Sequence, residues 1–164
     1  MIKEFEFYHG AALARLLHGS DKSIFIEPFP SESNASYIVN KNIGLFIKHS
    51  SKRMSPWRFS FAKDHQNEIL EMRNKLDEVF LLLVCGDDGI VALSFSELKK
   101  ILNETYEAVE WISVSRNKNT EYKVNGSDGS LGYKVSRKDF PRKLFEINNN
   151  NEKNKKDKVF SWFK

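Results

Sequence analysis

The stretch that decides the fold is SYIVNKNIGLFIKHSSKRMSPWRFSF, residues 36–61. Two runs rich in β-formers, residues 37–39 and 43–47, are joined by the turn-like triplet Asn-Lys-Asn at 40–42, which predicts a β-hairpin. The second run ends at Lys48 and continues directly into a basic and aromatic cluster. A hairpin that carries basic groups to its exit predicts a functional surface at that end of the strand.

The elements on both sides of the hairpin are predicted from the spacing of apolar residues and from the residues that begin or end helices and strands. Leucines on one face predict a helix over residues 8–18, and residues 23–27 predict a strand closed by prolines. Apolar positions stepping by three and four from Phe61 to Leu76 predict an amphipathic helix capped by Ser60. Further predicted elements are strands at 79–85, 90–93, 111–115, 121–124 and 131–135, and a short helix opened by the capping box of Ser94 and Glu97.

This mixture predicts one α+β domain over residues 1–147, with a mixed central sheet flanked by helices. Residues 79–85 are apolar on both faces, the pattern of a central strand covered on two sides. The chain has 164 residues, of which 40% are hydrophobic and 13% aromatic, enough apolar mass for a substantial core. The predicted architecture is an αββαβ core followed by C-terminal strands.

The C-terminal segment has a different composition. Residues 148–158 contain no apolar residue, which predicts a flexible basic tether that cannot offset its ordering entropy. The tether ends in an aromatic cluster of Phe160, Trp162 and Phe163. An isolated apolar cluster is typical of a docking site for a protein partner, and the alternative is that it folds back on the domain.

Charge is distributed unevenly along the chain. Residues 1–110 hold 13 Lys/Arg against 16 Asp/Glu, whereas residues 111–164 hold 13 against 6. The basic C-terminal third favours a polyanionic partner, DNA or RNA first. The alternative interpretation is a surface that is merely solubilising.

Cysteine usage and hydropathy bound the compartment. Cys85 is the single cysteine of the chain, so no intrachain disulfide and no cysteine-based zinc site can form. Its apolar surroundings predict a buried, inert thiol in a reducing, cytoplasmic compartment. No run approaches the roughly 18 apolar residues of a membrane span, and the start of the chain lacks the apolar region of a signal peptide. We therefore expect no membrane partner.

The order helix, strand, hairpin, helix, strand, with a lysine at the exit of the hairpin's second strand, resembles the PD-(D/E)XK nuclease-like fold over roughly residues 8–93. In that family two acids hold a divalent metal, usually Mg²⁺, beside the scissile phosphate, and the lysine assists. The resemblance places the lysine on Lys48 and the paired acid on Phe46. The upstream acid falls near Ser36 or Asn34, so neither acid position carries a carboxylate.

This departure implies a catalytically degenerate, nucleic-acid-associated module without a metal cofactor, of the kind expected in mobile elements or phage defence. An active Mg²⁺-dependent nuclease would need displaced carboxylates, for which Glu27 and Glu32 are the sequence candidates beside Lys48. Lys48 could also be an ordinary strand-end lysine whose stem is buried and whose ammonium reaches water. A third hypothesis is an adaptor that acts only through the C-terminal tail.

The predicted nucleic-acid contacts combine phosphate-binding charges with an aromatic ring on which a base could stack. They are Lys48, Lys52, Arg53, Trp57 and Arg58. The alternative is that the rings at 57, 59 and 61 are core residues surrounded by solvated charges. The four histidines show no metal-ligand spacing and are interpreted as structural, so no metal ligands are predicted.

Overall fold

The structure is a computed structural model that describes residues 1–103, 105 and 109–147. These residues form four helices: α1 (Glu4–His18), α2 (Lys63–Lys75), α3 (Phe95–Ile101) and α4 (139–147). They also form nine strands: β1 (Ile26–Pro28), β2 (Ser36–Val39), β3 (Ile43–Ser50), β4 (Trp57–Phe61), β5 (Glu78–Cys85), β6 (Gly89–Ser94), β7 (Glu110–Ser115), β8 (Lys123–Gly126) and β9 (Gly129–Ser130). The predicted α+β class is confirmed.

The first sheet has five strands in the order β1-β2-β3-β5-β6. Strands β3 and β5 are parallel, and the other neighbours are antiparallel. The predicted hairpin forms β2 and β3, and its turn uses positive φ angles at Asn40 (51°) and Lys41 (67°). A parallel pair needs a crossover connection, which β4 and α2 provide between β3 and β5.

Both faces of this first sheet are buried, as the apolar pattern of residues 79–85 predicts. Along β5, Leu81 and Leu83 belong to a core shared with α2, α3 and a second sheet, whereas Phe80 and Leu82 belong to a core covered by α1 and α4. Each of these side chains is at most 2% exposed. The first sheet is therefore the central layer of the molecule.

The second sheet is antiparallel and has the order β4-β7-β8-β9. Its first strand corrects the sequence prediction, because residues 57–61 do not lead into a helix capped by Ser60. They alternate between buried and exposed positions, the period of a strand, and α2 begins at Lys63 after Ala62 as N-cap. Phe61 therefore belongs to a strand that packs on the first sheet.

Two other predicted strands are shorter than expected. The strand predicted at 23–27 is confined to Ile26–Pro28, and the strand predicted at 131–135 is reduced to an isolated bridge between Tyr122 and Val135. The capping box of Ser94 and Glu97 is present at the start of α3. The predicted tether and aromatic cluster at 148–164 lie outside the described residues.

Cys85 is fully buried in β5, and burial raises the pKa of its thiol, which fits an inert side chain. In the part of the chain that the structure describes, none of the helices combines the length and the apolar character that crossing a bilayer requires.

Candidate functional site

Lys48 lies near the end of β3, an inner strand, and its side chain is aimed at β4 and the start of α2. Its ammonium donates to the Ser60 carbonyl oxygen at 2.5 Å and lies 4.8 Å from the centre of the Phe61 ring. The His65 Nδ1 atom is 3.4 Å away. The lysine is only partly exposed, so these protein groups replace part of the water around its ammonium.

The pKa values of Lys48 and His65 are both shifted by their surroundings. Desolvation lowers the pKa of Lys48, and the nearby Asp64 carboxylate opposes that shift. Desolvation, followed by the Lys48 charge, lowers the pKa of His65. The Ala62 N–H donates to His65 Nδ1 at 3.2 Å, so Nδ1 is an acceptor and the neutral ring carries its proton on Nε2. Because the pKa of His65 lies below its ordinary value, its imidazole is neutral at neutral pH.

The two positions where the resemblance expects acids lie side by side. Ser36 of β2 is the register partner of Phe46 of β3, two residues before Lys48. Phe46 is 1% exposed and belongs to the apolar core. A carboxylate at position 46 would have to replace this buried ring, so the site is apolar where a metal ligand would be needed.

The carboxylates that act electrostatically on Lys48 and His65 come from α2, namely Asp64 in its first turn and Glu68. Glu68 Oε2 accepts hydrogen bonds from Ser33 Oγ at 2.6 Å and from Ser36 Oγ at 2.8 Å, which ties the loop before β2 to the helix. The negative charge of Asp64 raises the pKa of Lys48 and so opposes the effect of burial. Over the described ranges, no group of three or more His, Cys, Asp and Glu side chains is arranged to hold a metal ion. At the two positions where the resemblance expects acids, the structure has a serine hydroxyl and a buried ring.

The sequence candidates for displaced carboxylates are not brought to Lys48 by any observed contact. Glu27 lies on β1 opposite Ile38, whose partner on β3 is Gly44, four residues before Lys48. Its carboxylate instead pairs with Lys41 at 3.3 Å. Glu32 is exposed in the loop before β2.

Lys52 and Arg53 are exposed in the segment that leaves β3. The Lys52 ammonium donates to the Pro56 carbonyl oxygen at 3.1 Å. Arg53 lines a shallow concavity at the carboxyl ends of the parallel strands, together with Tyr8, Ser51 and Asp87. These two cations remain available to a polyanion.

Trp57 requires a correction. Its ring is 2% exposed, its Nε1–H donates to the Lys52 carbonyl oxygen at 2.8 Å, and the Tyr122 ring meets it edge-on. A ring enclosed in this way offers no face to a nucleic-acid base, so the interpretation of Trp57 as a stacking platform is wrong. Trp57 is a core residue, as are Phe59 and Phe61.

Arg58 is separated from these rings by the alternation of β4. Its side chain is exposed on the opposite face of the strand, with the guanidinium carbon 4.6 Å from the centre of the Trp111 ring. The predicted partner-binding residues Phe160, Trp162 and Phe163 lie outside the described residues.

The sequence prediction missed the contribution of α2 to the site. From the sequence, His65 is interpreted as structural and Glu68 carries no prediction, because periodicity identifies only the apolar face of this helix. Their spacing of three residues places them on one side of the helix, and this spacing is the signal that could identify them.

No protein-family model, curated protein or solved structure matches this chain.

Proposed function

We propose that this protein is a nucleic-acid-associated module of nuclease-like architecture that does not cleave. The observation that carries the proposal is the placement of Lys48. It lies on the second strand of the hairpin and faces α2, while Ser36 and Phe46 occupy the neighbouring positions where the resembled family has its acids.

The order of elements supports the proposal. Helix α1, strand β1, the hairpin β2–β3, helix α2 and strand β5 follow one another as the resemblance expects, with β4 added before α2. The exposed cations Lys52, Arg53 and Arg58 follow Lys48 within a short segment. Exposed cations in a cluster supply the phosphate contacts on which sequence-independent nucleic-acid binding depends.

Loss of cleavage follows from the chemistry at positions 36 and 46. Mg²⁺ gives up its water only to carboxylates or phosphates, and here it would meet a serine hydroxyl and a buried ring. Glu68 is the carboxylate that contacts Ser36, and its Oε2 atom already accepts from Ser33 and Ser36. We therefore expect binding without hydrolysis.

The binding test is fluorescence anisotropy with labelled single-stranded and duplex oligonucleotides at low and at physiological salt. Affinity is expected to fall steeply as salt rises, because each neutralised phosphate releases counterions. The double substitution Lys52→Gln/Arg53→Gln should weaken binding about tenfold or more. The matched control is Lys75→Gln/Lys100→Gln, which removes two exposed cations from α2 and α3 and should leave binding unchanged.

The cleavage test combines calorimetry and a nuclease assay. No heat of Mg²⁺ binding is expected in the absence of nucleic acid, and no cleavage is expected in its presence. Robust cleavage that disappears in Glu68→Gln or Glu27→Ala would replace this proposal with an active nuclease. If the protein binds no oligonucleotide at low salt, the nucleic-acid function is rejected and the adaptor hypothesis remains.

A further inference from the structure

The second sheet has two unlike faces. One face points inward and is buried in the core. Its core residues are Trp57 and Phe59 of β4, Ile112 and Val114 of β7, and Val124 of β8. The alternate residues point outward and are exposed or partly exposed. The outward side chains of these three strands are Arg58, Ser60, Trp111, Ser113, Ser115, Lys123 and Asn125.

The chemistry of this outer face is one-sided. It carries two cations, an indole ring, hydroxyl groups and a carboxamide, and none of these outward side chains is a carboxylate. The face is continuous, because Ser113 of β7 pairs with Arg58 on one side and with Asn125 on the other, while Ser115 pairs with Lys123. A polar face whose outward strand side chains carry positive charge and no carboxylate is complementary to a polyanion.

A cation–π contact between Arg58 and Trp111 lies on this face. Trp111 is the register partner of Ser60, so Arg58 reaches its ring diagonally across the two strands. The guanidinium carbon lies 4.6 Å from the ring centre, and Arg58 is exposed above a ring that is itself partly exposed. Both planes are of the kind on which an unpaired nucleic-acid base stacks.

We propose that the outer face of β4, β7 and β8 binds single-stranded nucleic acid. A base stacks on the Arg58–Trp111 pair, the Lys123 ammonium neutralises a phosphate, and the hydroxyl and carboxamide groups of Ser113 and Asn125 hydrogen-bond to base edges or sugars. Duplex is disfavoured because its bases are already stacked and paired and present no free ring face to the sheet. This inference rests on the proposed nucleic-acid function and names its substrate class and its surface.

The test is anisotropy with a labelled oligothymidylate of about 16 nucleotides, the upper site size of a single sheet-based module. Trp111→Ala should weaken binding about tenfold, the loss typical of one stacked base. Trp111→Phe, which keeps an aromatic ring, should lie within about threefold of the wild type. The matched control is Phe7→Ala, which removes an exposed ring from α1 and should change nothing.

Charge on the face is tested separately. Lys123→Gln should weaken oligothymidylate binding and lower its salt dependence by about one phosphate contact, whereas Lys75→Gln on α2 should do neither. Intrinsic fluorescence gives an independent readout in a Trp162→Phe background, because Trp57 is buried. The oligonucleotide should quench the remaining signal, and the additional change Trp111→Phe should abolish the quenching.

The outcomes separate this inference from the proposed function. If the wild type binds oligonucleotides and folded Trp111→Ala and Lys123→Gln bind them equally well, the outer face is rejected and the proposed function stands. If a thermal melt shows that Trp111→Ala does not fold, the test is whether oligothymidylate quenches Trp111 fluorescence in the protein that keeps this residue. Absence of quenching rejects the outer face as the binding surface. If the wild type binds nothing at low salt, both proposals are rejected.

Discussion

The Lys48 ammonium already has partners within the fold, since it donates to the Ser60 carbonyl oxygen and lies beside the His65 imidazole. These contacts give the ammonium partners within the protein, although β3 has no carboxylate at position 46 to pair with it. Its effect on His65 is measurable, because the lysine charge helps to hold the pKa of that histidine below its ordinary value.

Lys48→Met should raise the pKa of His65, because it keeps the apolar stem and removes the charge that opposes protonation of the ring. The measurement is an NMR titration of the histidine side chains. Lys75→Met, which removes an exposed lysine on the same helix as His65, should leave that pKa unchanged. An unaltered His65 pKa in Lys48→Met would show that the two groups do not interact in solution.

Asp88 joins the turn between β5 and β6 to the second sheet. Its carboxylate accepts from Arg116 Nη2 at 2.5 Å and Nε at 2.9 Å, and from the buried Tyr122 hydroxyl at 2.7 Å. The hydrogen bond from Arg116 is the largest cause that lowers the pKa of Asp88, and the bond from Tyr122 adds to it.

Asp88→Asn should lower the free energy of unfolding by about 2–4 kcal/mol at neutral pH, because it removes charged hydrogen bonds to Arg116 and Tyr122. A lowered folded pKa means that the carboxylate stabilises the fold above the ordinary carboxyl pKa of about 4. The stabilisation is lost as pH falls through the lower folded value, so the difference between variant and wild type should shrink in acid. Urea unfolding at several pH values measures it.

The neighbouring exposed carboxylate provides the control. Asp87→Asn should change the free energy of unfolding by no more than about 0.5 kcal/mol at any pH. Equal effects of the two substitutions would contradict the role assigned to Asp88.

At the scale of elements, α1 is attached to the first sheet by a buried polar group as well as by apolar packing. His9 is 5% exposed and lies on the same buried face of the helix as Ala12 and Leu16, and its Nδ1 is 2.9 Å from the Tyr37 hydroxyl on β2. Burial, followed by the charge of His49, lowers the pKa of His9 to about 4. The folded protein therefore keeps this histidine neutral.

Docking of α1 should make the fold sensitive to moderate acid. An unfolded histidine takes up its proton near pH 6.5, and the folded one only near pH 4, so the unfolded state binds more protons between these values. The stability is complete above pH 6.5 and should fall by roughly 2–3 kcal/mol as pH is lowered through this window. His9→Gln should flatten this dependence, whereas His18→Gln, at an exposed position of the same helix, should preserve it.

On the scale of the whole molecule, the first sheet separates two cores, and α4 closes the second one. Phe140 and Leu144 of α4 are buried at 4% and 1% exposure, and the Lys143 ammonium donates to the Glu97 carboxylate at 2.5 Å. Helix α4 therefore attaches the chain to this second core through its buried face.

Deleting residues 148–164 should change the Tm by less than about 2 °C, because the sequence of that segment predicts a tether with a separate docking cluster. Deleting residues 139–164 should lower it far more, since this deletion also removes the buried residues of α4. Thermal melts of both truncated chains measure the contrast. A large drop for the shorter deletion would show that the tail packs on the domain, and the docking hypothesis would then be abandoned.

Local sequence determined those elements whose signals are carried by neighbouring residues. The hairpin of β2 and β3 follows from two β-rich runs around a turn, α3 follows from its capping box, and β5 follows from seven consecutive apolar residues at 79–85. Such signals depend on backbone preference and periodicity alone, which are fixed before any tertiary contact forms.

Tertiary structure decided what depends on partners distant in the chain. Residues 57–61 alternate like a strand, yet only pairing with β7, some fifty residues later, makes them one and directs Trp57 inward and Arg58 outward. The juxtaposition of Lys48 with His65 and of Ser36 with Glu68 likewise depends on how α2 docks on the hairpin. Periodicity identifies the buried face of each element, but only packing between elements selects the side chains that meet there.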